Sequence, residues 1–138
     1  MPMPCLVTER HEWETGSDQA QLQIPLGAAA QFFGQGRQNI AVRLVDTGQV
    51  INCSVSRTYQ NGTRRINGLP ILGGLGHCFV FFQRTSATTY DVWWNPDVAI
   101  VAARFTNWSQ AKDSQYGRGR LVTIVNGPVT RKISRIDS

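Results

Sequence analysis

Lysine is nearly missing from this chain. Of its fourteen basic residues twelve are Arg, and only Lys112 and Lys132 are Lys. Arg-heavy usage suits planar, bidentate recognition of bases and phosphates better than it suits solubility alone. A GC-rich genome produces the same skew, so the ratio by itself does not decide between the two. Cysteine is also scarce: Cys5, Cys53 and Cys78 are widely spaced and form no C-x-x-C pair. That excludes a disulfide framework or a zinc ribbon and predicts buried thiols in a reducing compartment. The two histidines, His11 and His77, stand at no metal-ligand spacing with Cys, Asp or Glu. His77 abuts an apolar run and reads as a satisfied strand-end residue.

Catalytic constellations are missing as well. A metal-dependent nuclease needs a carboxylate followed by Glu-x-Lys or Asp-x-Lys, and neither Lys112 nor Lys132 has an acid two residues before it. No G-x-S-x-G elbow occurs. Glu12 and Glu14 would share a face of an extended chain, but in their polar surroundings they read as a solvated acidic turn. No catalytic residue, metal or cofactor is therefore expected. No apolar run approaches the length of about eighteen residues needed to cross a membrane, and residues 1–6 carry no signal-peptide pattern. The expectation is a soluble, intracellular protein.

What is present is a folding composition, 41% hydrophobic and 17% charged, in 138 residues. This predicts one domain over 1–138. The net charge of +5 is unevenly placed. Glu9, Glu12, Glu14 and Asp18 lie in the first eighteen residues with Arg10 as the only base, whereas from Gln19 onward thirteen basic residues face five acids. A body this basic suits a polyanionic partner.

Period-2 alternation and β-branched or aromatic runs predict strands over 5–10, 19–24, 78–82, 89–94 and 121–125. A hairpin is expected from 39–45 to 50–55 across Asp46-Thr47-Gly48, and a last strand over 129–135. The β-branched Val98, Ile100 and Val101 favour a strand over 98–105. Short helices are expected at 25–34, with Pro25 in its first turn and Gly34 as its stop, and at 107–115, capped by Asn107 or Ser109. The glycine-rich stretch 69–76 lacks the lysine of a phosphate cradle and reads as an apolar connection. Together these elements predict a mainly-β barrel or pseudobarrel of seven to eight strands with two short helices. Among the tryptophans, Trp93 and Trp94 are adjacent, so they would point to opposite faces of a strand. Trp13 and Trp108 are the residues that could stack an unpaired base.

Two polar stretches stand out. In 19–24, Gln19, Gln21 and Gln23 line one side of the strand, with Ala20, Leu22 and Ile24 on the other. In 57–68, Arg57-Thr58-Tyr59-Gln60-Asn61-Gly62-Thr63-Arg64-Arg65-Ile66-Asn67-Gly68 forms an arginine-bearing loop between apolar runs. Gln and Asn can contact adenine edges bidentately, Arg can fork onto guanine or phosphate, and Thr can donate to phosphate.

The Thr15-Gly16 turn leading to Gln19-Ala20-Gln21-Leu22-Gln23-Ile24-Pro25-Leu26-Gly27, followed later by Asn61-Gly62-Thr63-Arg64-Arg65-Ile66-Asn67, resembles the effector DNA-binding domain of EcoRII-type restriction endonucleases. That domain is a B3-like DNA-binding pseudobarrel. The resemblance implies a wrench-like grip on double-stranded DNA with a short specific site, two arms entering the major groove. The N-terminal arm would comprise Ser17, Asp18, Gln19, Gln21 and Gln23. The C-terminal arm would comprise Arg57, Thr58, Gln60, Asn61, Thr63, Arg64, Arg65 and Asn67. Phosphate contacts beyond the arms would come from Arg37, Arg43, Arg118 and Arg120. The domain would be non-catalytic, with a fused or associated nuclease domain as its partner. Asp18 and Gly68 depart from the family pattern, Asp18 standing where a neutral or basic reader is expected. Rival readings are a single-stranded nucleic-acid binder and a small ligand-binding or enzymatic β-barrel.

Overall fold

A computed structural model describes residues 3–10, 22–24, 32–33, 37–56, 64–67, 77–105, 108–113, 118–126 and 129. Among them the fold is mainly β, with nine strands and one helix. The strands are β1 (Cys5–Arg10), β2 (Leu22–Ile24), β3 (Gln38–Leu44), β4 (Val50–Val55), β5 (Arg64–Asn67), β6 (Cys78–Arg84), β7 (Thr89–Asn95), β8 (Ser109–Asp113) and β9 (Arg118–Val125). The helix α1 spans Val98–Arg104.

All nine strands belong to one mixed sheet in the order β2-β5-β4-β3-β7-β6-β1-β9-β8. Every neighbouring pair is antiparallel except β3 with β7. The sheet is therefore two antiparallel blocks joined along a single parallel seam, where Ala41 stands opposite Thr89 and Leu44 opposite Val92.

Local chemistry accounts for most of these elements. The β3–β4 hairpin closes through Gly48 N–H donating to Leu44 O (2.7 Å) and Leu44 N–H to Gln49 O (2.8 Å). Gly48 has φ +75°, in the left-handed region that a Cβ disfavours. β6 is the continuous apolar run Cys78-Phe79-Val80-Phe81-Phe82, and it is buried on both sides, as such a run should be. At its end Gln83 ties three segments: its Nε2 donates to Met3 O (3.0 Å) and Pro4 O (3.2 Å), and its Oε1 accepts from Val129 N–H (2.7 Å).

One face of the sheet is core across nearly its whole width. Leu6, Ile40, Val42, Leu44, Cys53, Val55, Ile66, Val80, Phe82, Tyr90, Val92 and Val122 form one cluster, into which Phe32 and Phe33 insert. The second face is divided. Over β1, β6, β7 and β9 it is covered by a second cluster containing Cys5, Val7, Phe79, Phe81, Trp93, Val101 and Val129. Because the interior strand β1 lies between both clusters, all six of its residues are buried.

Three expectations are corrected. Residues 98–104 are helical, not a strand. Asp97 caps the helix, its Oδ1 accepting from Ile100 N–H (3.1 Å), while Asp97 N–H donates to Asn95 Oδ1 (2.9 Å). Val98, Val101 and Phe105 recur at helical spacing and all meet the second cluster, so the apolar stripe outweighs β-branched propensity. Residues 109–113 are strand β8, not a helix, pairing Ser109 with Val122 and Asp113 with Arg118. That segment lacks an apolar stripe that would hold a helix on the core, and the ladder satisfies the outer backbone groups of β9. Finally, four residues of the expected loop 57–68 are strand β5, paired to β2 and β4. The strand count of nine against an expected seven to eight follows from β5 and β8. Of the helix expected at 25–34 only Phe32 and Phe33 are described, and of the strand expected at 129–135 only Val129.

Candidate nucleic-acid interface

Among the described residues, nothing covers the second face over β3 and β4. Alternation along β3 sends Ile40, Val42 and Leu44 into the core and leaves Asn39, Ala41 and Arg43 on the outer side. On β4, Cys53 and Val55 face the core and Asn52 and Ser54 face outward. The register aligns these positions, with Asn39 opposite Ser54 and Ala41 opposite Asn52. Between them is an open trough of about 580 Å³, lined by Asn39, Ala41, Asn52, Ser54 and Thr88.

Beyond Ala41 the outer face becomes charged. Arg43 forks onto Asp91, its Nε 2.9 Å from Oδ1 and its Nη2 2.8 Å from Oδ2. These bonds, and secondarily the carboxylate charge, hold the Arg43 pKa above its ordinary value. A second open cavity of about 340 Å³ lies here, bordered by Arg43, Val50, Thr85 and Asp91. Arg37 is exposed immediately before β3.

The described parts of the two polar stretches meet at this end of the sheet. β2 and β5 pair antiparallel, placing Gln23 opposite Arg65 and Ile24 opposite Arg64. Asn67 stands opposite Ser54 on β4. Ile66, between Arg65 and Asn67 on β5, is in the core. Ser17, Asp18, Gln19, Gln21, Arg57, Thr58, Gln60, Asn61 and Thr63 lie outside the described residues. Arg118 and Arg120 are on β9, six places along the sheet from β5.

Sequence reasoning did not single out Asn39, Asn52, Ser54 or Thr88. The signal was there in the alternation of the β3–β4 hairpin, whose outward positions are amides and hydroxyls between apolar core residues.

Several titratable groups among the described residues are structural. His77 Nε2 is 2.6 Å from Glu9 Oε2, and Glu9 Oε1 accepts from Leu121 N–H (3.0 Å), so this pair ties β1 to β6 and β9. Cys5, Cys53 and Cys78 are buried. Burial pushes Cys5 up to about 12 and Cys53 up to about 11, which leaves both protonated and unreactive at neutral pH. Trp108 is fastened by its indole N–H to Ala102 O (3.1 Å) and Phe105 O (3.0 Å) and packs on Phe79, so it closes the helix and offers no stacking platform. Trp93 is core and stacks on Phe81 at 5.3 Å. Trp94 packs against the first cluster.

No protein-family model matches the chain, and no curated protein matches it in sequence.

Proposed function

We propose that the chain is a non-catalytic, sequence-specific duplex DNA-binding domain of the B3-like pseudobarrel kind, serving an intracellular restriction endonuclease as its recognition or effector module. The observation that carries the reading is the antiparallel pairing of β2 with β5. Segments separated by some forty residues of chain, each resembling one arm of the family, are neighbours, with Gln23 opposite Arg65. Amide and guanidinium groups at one end of a sheet can read adenine and guanine edges bidentately. The basic excess beyond Gln19 supplies the sequence-independent attraction to phosphate. One cluster draws on β5 and β9 alike, which supports a pseudobarrel reading.

The N-terminal arm then extends through Ser17, Asp18, Gln19 and Gln21, and the C-terminal arm through Arg57, Thr58, Gln60, Asn61 and Thr63. The test is selection from a randomised duplex pool by gel shift at physiological salt. One short enriched motif is expected. Recovery of random sequence, or no retained duplex at any salt, refutes specific recognition.

A further inference from the structure

Resting on the duplex-binding reading, we infer that the outer face of the β3–β4 hairpin is a third contact surface, a trough that seats the sugar–phosphate backbone of one DNA strand. Neither polar stretch supplies this surface. Its polar lining is the pair Asn39 and Ser54, then Asn52 opposite Ala41, with Thr88 at the side, in an open trough of about 580 Å³ that Ile40 and Cys53 also border. These groups carry no charge, donate hydrogen bonds readily and discriminate no base at a phosphate, which is the chemistry of positioning contacts.

Charge complementarity fixes the occupant. Arg37 precedes β3 and Arg43 lies near its far end, both exposed, and six residues of strand separate them by about 20 Å. Measured along the duplex axis, that is the rise of about six base pairs. Asp91 offsets the Arg43 charge and uses two donors of its guanidinium, but holds it in place with three donors left for a phosphate oxygen, so the uncompensated charge beside the trough is that of Arg37. The strand next to β4 is β5, where Asn67 is paired to Ser54 and Arg65 lies two residues before it. A strand lying in it would run directly to the base-reading end of the sheet.

The experiment compares the wild-type chain with Asn39→Asp/Ser54→Asp and Asn39→Ala/Ser54→Ala. Each is titrated with the selected duplex and with a random duplex at several salt concentrations. Because the Asp pair sets two negative charges against phosphates, it should weaken binding to both duplexes alike, on the order of tenfold, leaving the specificity ratio unchanged. The Ala pair should weaken both by a few-fold. Folding is checked by far-UV circular dichroism and melting, and the Ala pair decides the matter if the Asp pair melts early. Wild-type affinity in the variants overturns the trough while leaving arm recognition standing, as does a loss confined to the selected sequence. A wild-type chain that binds no duplex at low salt overturns the DNA reading and the trough together.

Discussion

Replacing Asp97 by Ala tests the division of the second face into covered and uncovered halves. Asp97 Oδ1 accepts the Ile100 N–H at 3.1 Å, and the side chain also places a negative charge at the start of α1. Removing an N-cap of this kind costs about 1 kcal/mol, within a range of roughly 0.5–2. For a domain of this size that should lower Tm by about 3–4 °C. A helix of seven residues has no stability of its own, so the loss should be felt through the packing of Val101 and Trp108 rather than as a local fraying alone. Thermal melting followed by far-UV circular dichroism and by tryptophan fluorescence should show one coincident transition. Asp97→Ser, which keeps a capping oxygen, should stay within about 0.5 kcal/mol of wild type. DNA affinity should not change in either variant, because α1 lies over the covered half. If Asp97→Ala melts at the wild-type temperature, or Asp97→Ser is as damaging, the cap does not hold α1 and the account of residues 98–104 fails.

Three further outcomes are expected. Arg65→Ala should cost about 1–3 kcal/mol on the selected duplex and little on random DNA, whereas Arg118→Ala should weaken both alike and reduce the salt slope by about one; equal losses for Arg65→Ala would remove it from base reading. The raised thiol pKa values make stability fall with rising pH: below the ordinary thiol value of 9.0 the contribution is complete, and it is lost as pH climbs towards about 12 for Cys5 and about 11 for Cys53. Urea midpoints between pH 8 and 10.5 should therefore decline, and Cys5→Ala should flatten the decline. Arg84 donates to Phe32 O and lies over the Phe32 ring (4.9 Å) and the Tyr90 ring (5.8 Å), so Arg84→Met should destabilise by about 2 kcal/mol in a urea titration. No loss there would mean that the guanidinium does not anchor the segment at Phe32 and Phe33.

Strands whose side chains alternate or whose runs are β-branched and aromatic were legible from the residues alone. The first strand, the 39–55 hairpin around Gly48, the buried run of β6 and its partner β7 all appear where their patterns predict. Residues 98–104 and 109–113 were misjudged because propensity was read without the partner surface. Val98 and Val101 favour strands in isolation, but Asp97 and a waiting apolar face make them helical; Ser109 can cap a helix, but the open side of β9 recruits it into a ladder. For the site, the glutamine and arginine stretches were visible as polarity. Their adjacency was not, since no local pattern encodes that Leu22 pairs with Ile66. The amide row of Asn39, Asn52 and Ser54 was hidden by its scatter between core residues.

The position of β1 bears on how the chain folds. Cys5 stands opposite Gln83 on one side and Val125 on the other, so the earliest strand is filled in between two much later ones, β6 and β9. Pairings this distant in sequence are costly to close, and they place the domain among slow folders on the scale of milliseconds to seconds. During synthesis the block from β2 to β5 has its partners as soon as residue 67 emerges, while β1 must wait, with its apolar Cys5, Leu6 and Val7 unpaired, until β6 and then β9 are made. The β2–β5 block is therefore assembled first and the half around β1 last, and the interval between them is when the chain is most exposed to misassociation through its first strand.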